Sequence, residues 1–125
     1  MANPNIAAVT TIYGNTSTTS LSTTNATSIV SNAASSGKVY KINTIMVANI
    51  DGTSAADITI NLYSSAALGG TATAIASTIS VPADSTLIVS DKTTSFYLLE
   101  DKSIGATAGT AGDLVVTCSW EEINS

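Results

Sequence analysis

The sequence predicts an all-β fold: an antiparallel β-sandwich, jelly-roll-like, of about seven to eight short strands. Three observations carry that expectation. Apolar residues recur at every second position in several segments, the period of a strand with one covered face. These segments return at roughly 8–12-residue spacing between turn-forming residues, as in sandwiches and barrels. β-Branched residues are abundant and no segment sustains an i, i+3, i+4, i+7 apolar stripe, so little or no helix is expected.

The elements follow in order. Residues 1–36 are mostly Asn, Ser, Thr and Ala with isolated apolar residues, and Asn15 to Asn25 holds a single large one, Leu21. Such a segment cannot offset its own ordering entropy by burial. It is read as an extended N-terminal arm that lies against something else, ahead of a β-sandwich domain over 37–125. Lys38 to Ile50 alternates, with Tyr40, Ile42, Thr44, Met46 and Ala48 on one face and Lys41, Asn43, Ile45 and Val47 on the other. Apolar residues on both faces suit a central strand. Asp51-Gly52 breaks it, and Asp57 to Tyr63 is the cleanest strand, with Ile58, Ile60 and Leu62 inward. These two are expected to form a hairpin across Asp51–Ala56.

Ala74 to Val81 is expected to turn Ile75, Ile79 and Val81 inward. Pro82 to Ser85 is a turn, because Pro presets its own φ and Asp bonds the backbone beyond it. Four more strands follow: Thr86 to Ser90, Phe96 to Leu99, Ser103 to Ala108 and Leu114 to Ile123. The expected core is Ile42, Ile58, Ile60, Leu62, Ile79, Val81, Leu87, Val89, Leu98, Val116 and Trp120.

Composition excludes much chemistry. The 125 residues include no His and no Arg, which removes Ser-His and Cys-His dyads, His-ligated zinc and bidentate phosphate clamps. Four lysines against nine acids, with a pI near 4.1, argue against nucleic acid as a partner. No apolar run approaches the roughly 20 residues of a membrane helix, and the first residues lack a secretory signal pattern. The lone Cys118 forms no intrachain disulfide; it is either a buried small hydrophobe or a link between chains, with burial the preferred reading.

Candidate sites are few. Acidic residues fall at predicted turns or strand ends, and Asp51 to Asp57 lacks the alternating ligands of a calcium loop. Glu121 and Glu122 are adjacent on a strand and face opposite ways, and Glu100-Asp101 sits on a turn, so no carboxylate pair spans a cleft. No catalytic, metal or cofactor residues are assigned, and no enzyme activity is expected. Tyr13, Tyr40, Tyr63, Tyr97 and Trp120 are the aromatics that could bind sugar. Trp120 reads as core, and Tyr63 and Tyr97 read as cross-strand or interface residues, the two whose replacement would test a glycan-binding face.

The most informative feature is a surface nearly without charge. Charged residues are 10% of the chain, while Ser and Thr account for 38 positions. Outward strand positions carry Thr, Ser, Asn and Ala, which lose little entropy when covered. Strand edges are left poorly guarded by charge, so an oligomer that covers them is expected.

The run Val39 to Asn43, Val47 to Gly52, Ala56 to Ile60, Ile79 to Leu87, Phe96 to Asp101 and Trp120 to Ile123 resembles the small virion structural proteins of tailed phages, marine cyanophages especially. The resemblance spans about residues 38–123 and carries no catalytic residues. It implies a virion part: a homo-oligomer, preferably a trimer, decorating the outside of a capsid as a cement protein bound to the major capsid protein, with residues 1–36 reaching to a neighbour. The alternatives are a neck, tail or fibre component, or a glycan-binding adhesin module.

Overall fold

The computed structural model describes residues 4–124. The strands are β1 (Thr11–Ser20), β2 (Thr27–Asn32), β3 (Lys38–Asn49), β4 (Ala56–Ser65), β5 (Gly69–Val81), β6 (Thr86–Ser90), β7 (Phe96–Leu98), β8 (Lys102–Ala108) and β9 (Leu114–Asn124). Helical structure among the described residues is one 3-10 turn, Lys92–Thr94, capped by Asp91. One sheet runs β1-β9-β3-β6, with β7 also paired to β3, and the other runs β2-β8-β4-β5, all antiparallel. This is a jelly-roll sandwich, as the alternation predicted.

Between the sheets lie Ile42, Ile45, Val47, Ile58, Ile60, Val81, Leu98, Ile104, Leu114, Val116 and Cys118, joined by Leu21, Ile29 and Val30 from the Ser/Thr-rich segment. Leu62, Leu87, Val89 and Trp120 are partly buried against this core. Ile79, expected inside, is 41% exposed. It lies opposite Ile58 on the outermost strand, where a bulge at Thr78 (φ 51°) displaces the chain and turns Ala76, not Ile75, onto the core. The Thr78 N–H donates to Thr59 Oγ1 at 3.0 Å.

Three further expectations are corrected. Residues 11–20 and 27–32, read as part of an extended arm, are strands in opposite sheets. β3 does not keep one alternation: a register shift between Ile42 and Thr44 puts Ile42, Ile45 and Val47 on the same inner face. β3 and β4 form no hairpin; the segment between them crosses from one sheet to the other.

Two buried asparagines hold such crossings. Asn49 Nδ2 donates to the carbonyls of Ser54 (3.0 Å) and Val81 (2.9 Å), and its Oδ1 accepts from the Asp51 N–H at 2.9 Å. Asn32 Nδ2 donates to the carbonyls of Lys38 (2.9 Å) and Leu98 (3.2 Å), and Oδ1 accepts from the Ser36 hydroxyl at 2.6 Å. Each buried side-chain amide has its polar atoms satisfied and ties a strand end to backbone of another element.

Candidate self-assembly surface

Four outer strands define the surface. β1 and β6 flank one sheet, with the three-residue β7 beside β3 on the same side as β6, and β2 and β5 flank the other. Their sequences are TIYGNTSTTS, TLIVS, TSIVSN and GGTATAIASTISV, without a charged residue or a proline among them. Lys, Glu and Pro are what usually keep a strand edge from pairing with another chain. Apolar residues also stand exposed on these strands: Ile12 and Tyr13 on β1, Ile75 and Ile79 on β5, and Ile88, 58% exposed, on β6.

β1 and β5 differ in how usable their edges are. β5 pairs with β4 through three register shifts. Bulges twist an edge away from a partner. β1 pairs with β9 over ten consecutive residues, Thr11↔Asn124 to Ser20↔Val115, with no shift.

The outer face of the β2-β8-β4-β5 sheet is partly covered by the chain's own β4–β5 turn. Ala67 and Leu68 take positive φ (54° and 61°), and the turn is fastened by N–H donation from Ala66 to Asp101 Oδ1 (3.0 Å), from Ala67 to Ser31 Oγ (2.9 Å) and from Leu68 to Ser103 Oγ (2.9 Å). Leu68 and Tyr63 sit over Gly105: a Cβ there would meet Leu68 Cδ2 at 2.7 Å and Tyr63 Cε1 at 2.9 Å. Tyr63 is thus part of a packed cap. It also borders a shallow cleft of about 210 Å³ with Leu62, Ser64, Thr71, Thr73 and Lys102, whose Nζ donates to the Ser64 carbonyl at 2.9 Å. Tyr97, on β7 opposite Lys41, is exposed. The two tyrosines considered for glycans therefore belong to different sheets.

The other candidates have structural partners. Glu122 forms an ion pair with Lys38 at 3.3 Å, and Glu121 stands opposite Lys41 in the β3–β9 ladder. Tyr40 lies 6.2 Å from Trp120, ring centre to ring centre; burial, then the negative charge of Glu122, raise its pKa, partly offset by Lys38. Asp51 accepts from the N–H and hydroxyl of Thr53, both at 3.0 Å, which holds its carboxyl below the usual range. No group of three or more His, Cys, Asp or Glu among the described residues is placed to hold a metal. No helix of the described residues is long and apolar enough to cross a membrane.

Cys118 is fully buried on β9, and burial pushes its thiol up to about 12. Of the two roles open to it, the structure shows the small buried hydrophobe.

No family model matches the chain, and no curated protein matches its sequence. Among solved structures, it is similar to a chain from Bacillus endospore appendages, described as a novel family of disulfide-linked pili, with a TM-score of 0.51 and 20% identity over 99% of this chain and 94% of that one. At that identity the likeness is one of fold. It extends through the N-terminal segment that the phage resemblance left out. The reading as a phage virion protein is corrected accordingly, and with it the capsid-decoration role, the capsid partner and the virion location: this full-length structural likeness is to a pilus chain.

Proposed function

We propose that this chain is the repeating subunit of a pilus-like fibre, polymerising with copies of itself without covalent links. The observation that carries this reading is the absence of charge and proline from all four outer strands. A protein that worked alone would risk aggregation with such edges; one whose edges are covered by its own copies would not. The edges lie on opposite sides of the sandwich, because β5 approaches β6 across the sheets while β1 and β2 begin the other side of each strand order. Unlike surfaces on opposite sides give head-to-tail contacts, which propagate as open filaments when the rotation does not close. The fold likeness to a pilus subunit supports the same reading.

One difference from disulfide-linked pili follows from the residues. The chain has a single cysteine, and it is buried with a thiol that stays protonated near neutral pH. Backbone pairing and covered Thr, Ser and Ile side chains must therefore hold the copies together.

The test is assembly of the purified chain, followed by light scattering and electron microscopy, against Ile88→Lys and Thr18→Lys. Both substitutions place a charge at an exposed position of an outer strand. Fibres from the unaltered chain, and loss of fibres with an unchanged monomer melting curve in the variants, are the expected results. A chain that stays monomeric at every concentration overturns the proposal and favours a lone adhesin module.

A further inference from the structure

β1 is held by its backbone. All ten residues pair with β9, yet not one of them is buried. The register places Asn15, Ser17 and Thr19 opposite the inward-facing Trp120, Cys118 and Val116, so β1 offers the sandwich only small polar side chains. The Ser17 hydroxyl is itself buried without a hydrogen-bond partner. An unmet buried hydroxyl weakens the strand that carries it. Immediately after β1 the situation reverses. Leu21 is fully buried, its N–H donates to the Leu114 carbonyl at 2.9 Å, and its carbonyl accepts from the Gly112 N–H at 2.9 Å. The chain is thus fixed at Leu21 and loosely held before it. If β1 leaves, it uncovers the edge of β9 beside Val116, Cys118 and Trp120, and that edge needs a strand of the same register to cover it again.

We propose that β1 is an exchanged strand: in the fibre it pairs with β9 of a neighbouring copy, in the register it has with its own. The occupant is a second copy of this chain because the ladder, the uncharged sequence and the small inward side chains fit β9 whichever copy supplies them. Exchange of an identical element loses no contact and changes only the course of the chain beside Leu21. The proposal rests on the fibre reading above and deepens it, by specifying which strand crosses between copies.

The register supplies its own probe. Thr16 and Ser119 face each other, with Thr16 Oγ1 donating to Ser119 Oγ at 3.5 Å, and Ser17 stands opposite the native Cys118. Directly opposed residues in an antiparallel pair have Cα atoms about 4.5–5.5 Å apart, within the range a disulfide spans. The experiment assembles the full chain carrying Thr16→Cys and Ser119→Cys under reductant, oxidises the product, and separates it by denaturing electrophoresis without reductant. Ser17→Cys against Cys118 provides the second, inward pair. Exchange predicts that most of the protein leaves the monomer band for a ladder of covalent multiples, which reductant collapses. Fibres whose cysteines close only within single chains, or stay reduced in both variants, overturn the exchange and leave the fibre reading standing. Failure of the unaltered chain to form fibres removes that reading, and the exchange with it.

Discussion

β9 has two neighbours, and they are held in different ways. β3 pairs with it over eleven residues and β1 over ten, so the backbone ladders are nearly equal. The side chains are not. β3 contributes Ile42, Ile45 and Val47 to the core, while β1 contributes no buried residue. A ladder fixes register, because each bond requires its opposite number. Net of water, each such bond adds only about 0.5–1.5 kcal/mol. A buried aliphatic side chain adds roughly 1.5–3 kcal/mol that water cannot replace. Position is therefore set equally on both sides of β9, and permanence on one side only.

The largest effect is expected where permanence is made. Ile45→Asp puts an unpaired charge in the centre of the sandwich and should abolish the fold, seen as loss of the cooperative melting transition; Thr18→Asp, on β1, should leave that transition in place. A truncation series sharpens the contrast. Removing residues through Ser20 should lower the melting temperature but keep the strand signal in circular dichroism. Removing residues through Val30 should unfold the chain, because Leu21, Ile29 and Val30 belong to the core. Equal outcomes for the two truncations would erase the distinction between β1 and β2.

That distinction is not legible in the sequence. Asp57 to Tyr63 is legible because an unbroken alternation has one interpretation. β3 is not, since the shift after Ile42 restarts its alternation, and a chain with apolar residues on both apparent faces gives no sign of where the shift falls. The Asp51-Gly52 signal marks the break after β3 but carries no information on whether the chain returns within its sheet or crosses to the other. In the first 32 residues Leu21, Ile29 and Val30 are too sparse to show a period, and β1 is fixed by backbone bonds that any Ser/Thr sequence can make. The uncharged outer positions are legible as a surface suited to being covered; what would cover them is not, because strand and turn patterns are shared by unrelated sandwiches.

Intermediate effects concern Cys118, at the centre of β9. Burial raises its folded pKa to about 12 from 9.0. A group with a raised folded pKa contributes stability that is present below the unfolded value and lost as pH rises through the folded one. Tyr40, also raised, acts in the same direction. The melting temperature should fall between about pH 9 and 12, and Cys118→Ala should flatten part of that fall. In the same pH series below 9, a thiol reagent should label Cys118 only after denaturation. Rapid labelling of the native chain would show that β1 already uncovers β9 in the isolated copy.

The smallest effect is expected on β1 itself. Ser17→Ala removes a buried hydroxyl that has no partner. It should be neutral or stabilise the chain by up to about 1 kcal/mol in denaturant titration. A loss of more than about 1 kcal/mol would mean that β1 depends on its side chains after all.

In the proposed fibre, copies of this chain are joined through uncharged strand edges and no disulfide. The most direct measurement is electron microscopy of the purified, unaltered chain assembled in the continuous presence of a strong thiol reductant, beside the Ile88→Lys variant under the same conditions. Fibres are expected from the first and dispersed monomers from the second. Monomers from both, or equal fibres from both, would contradict the proposal.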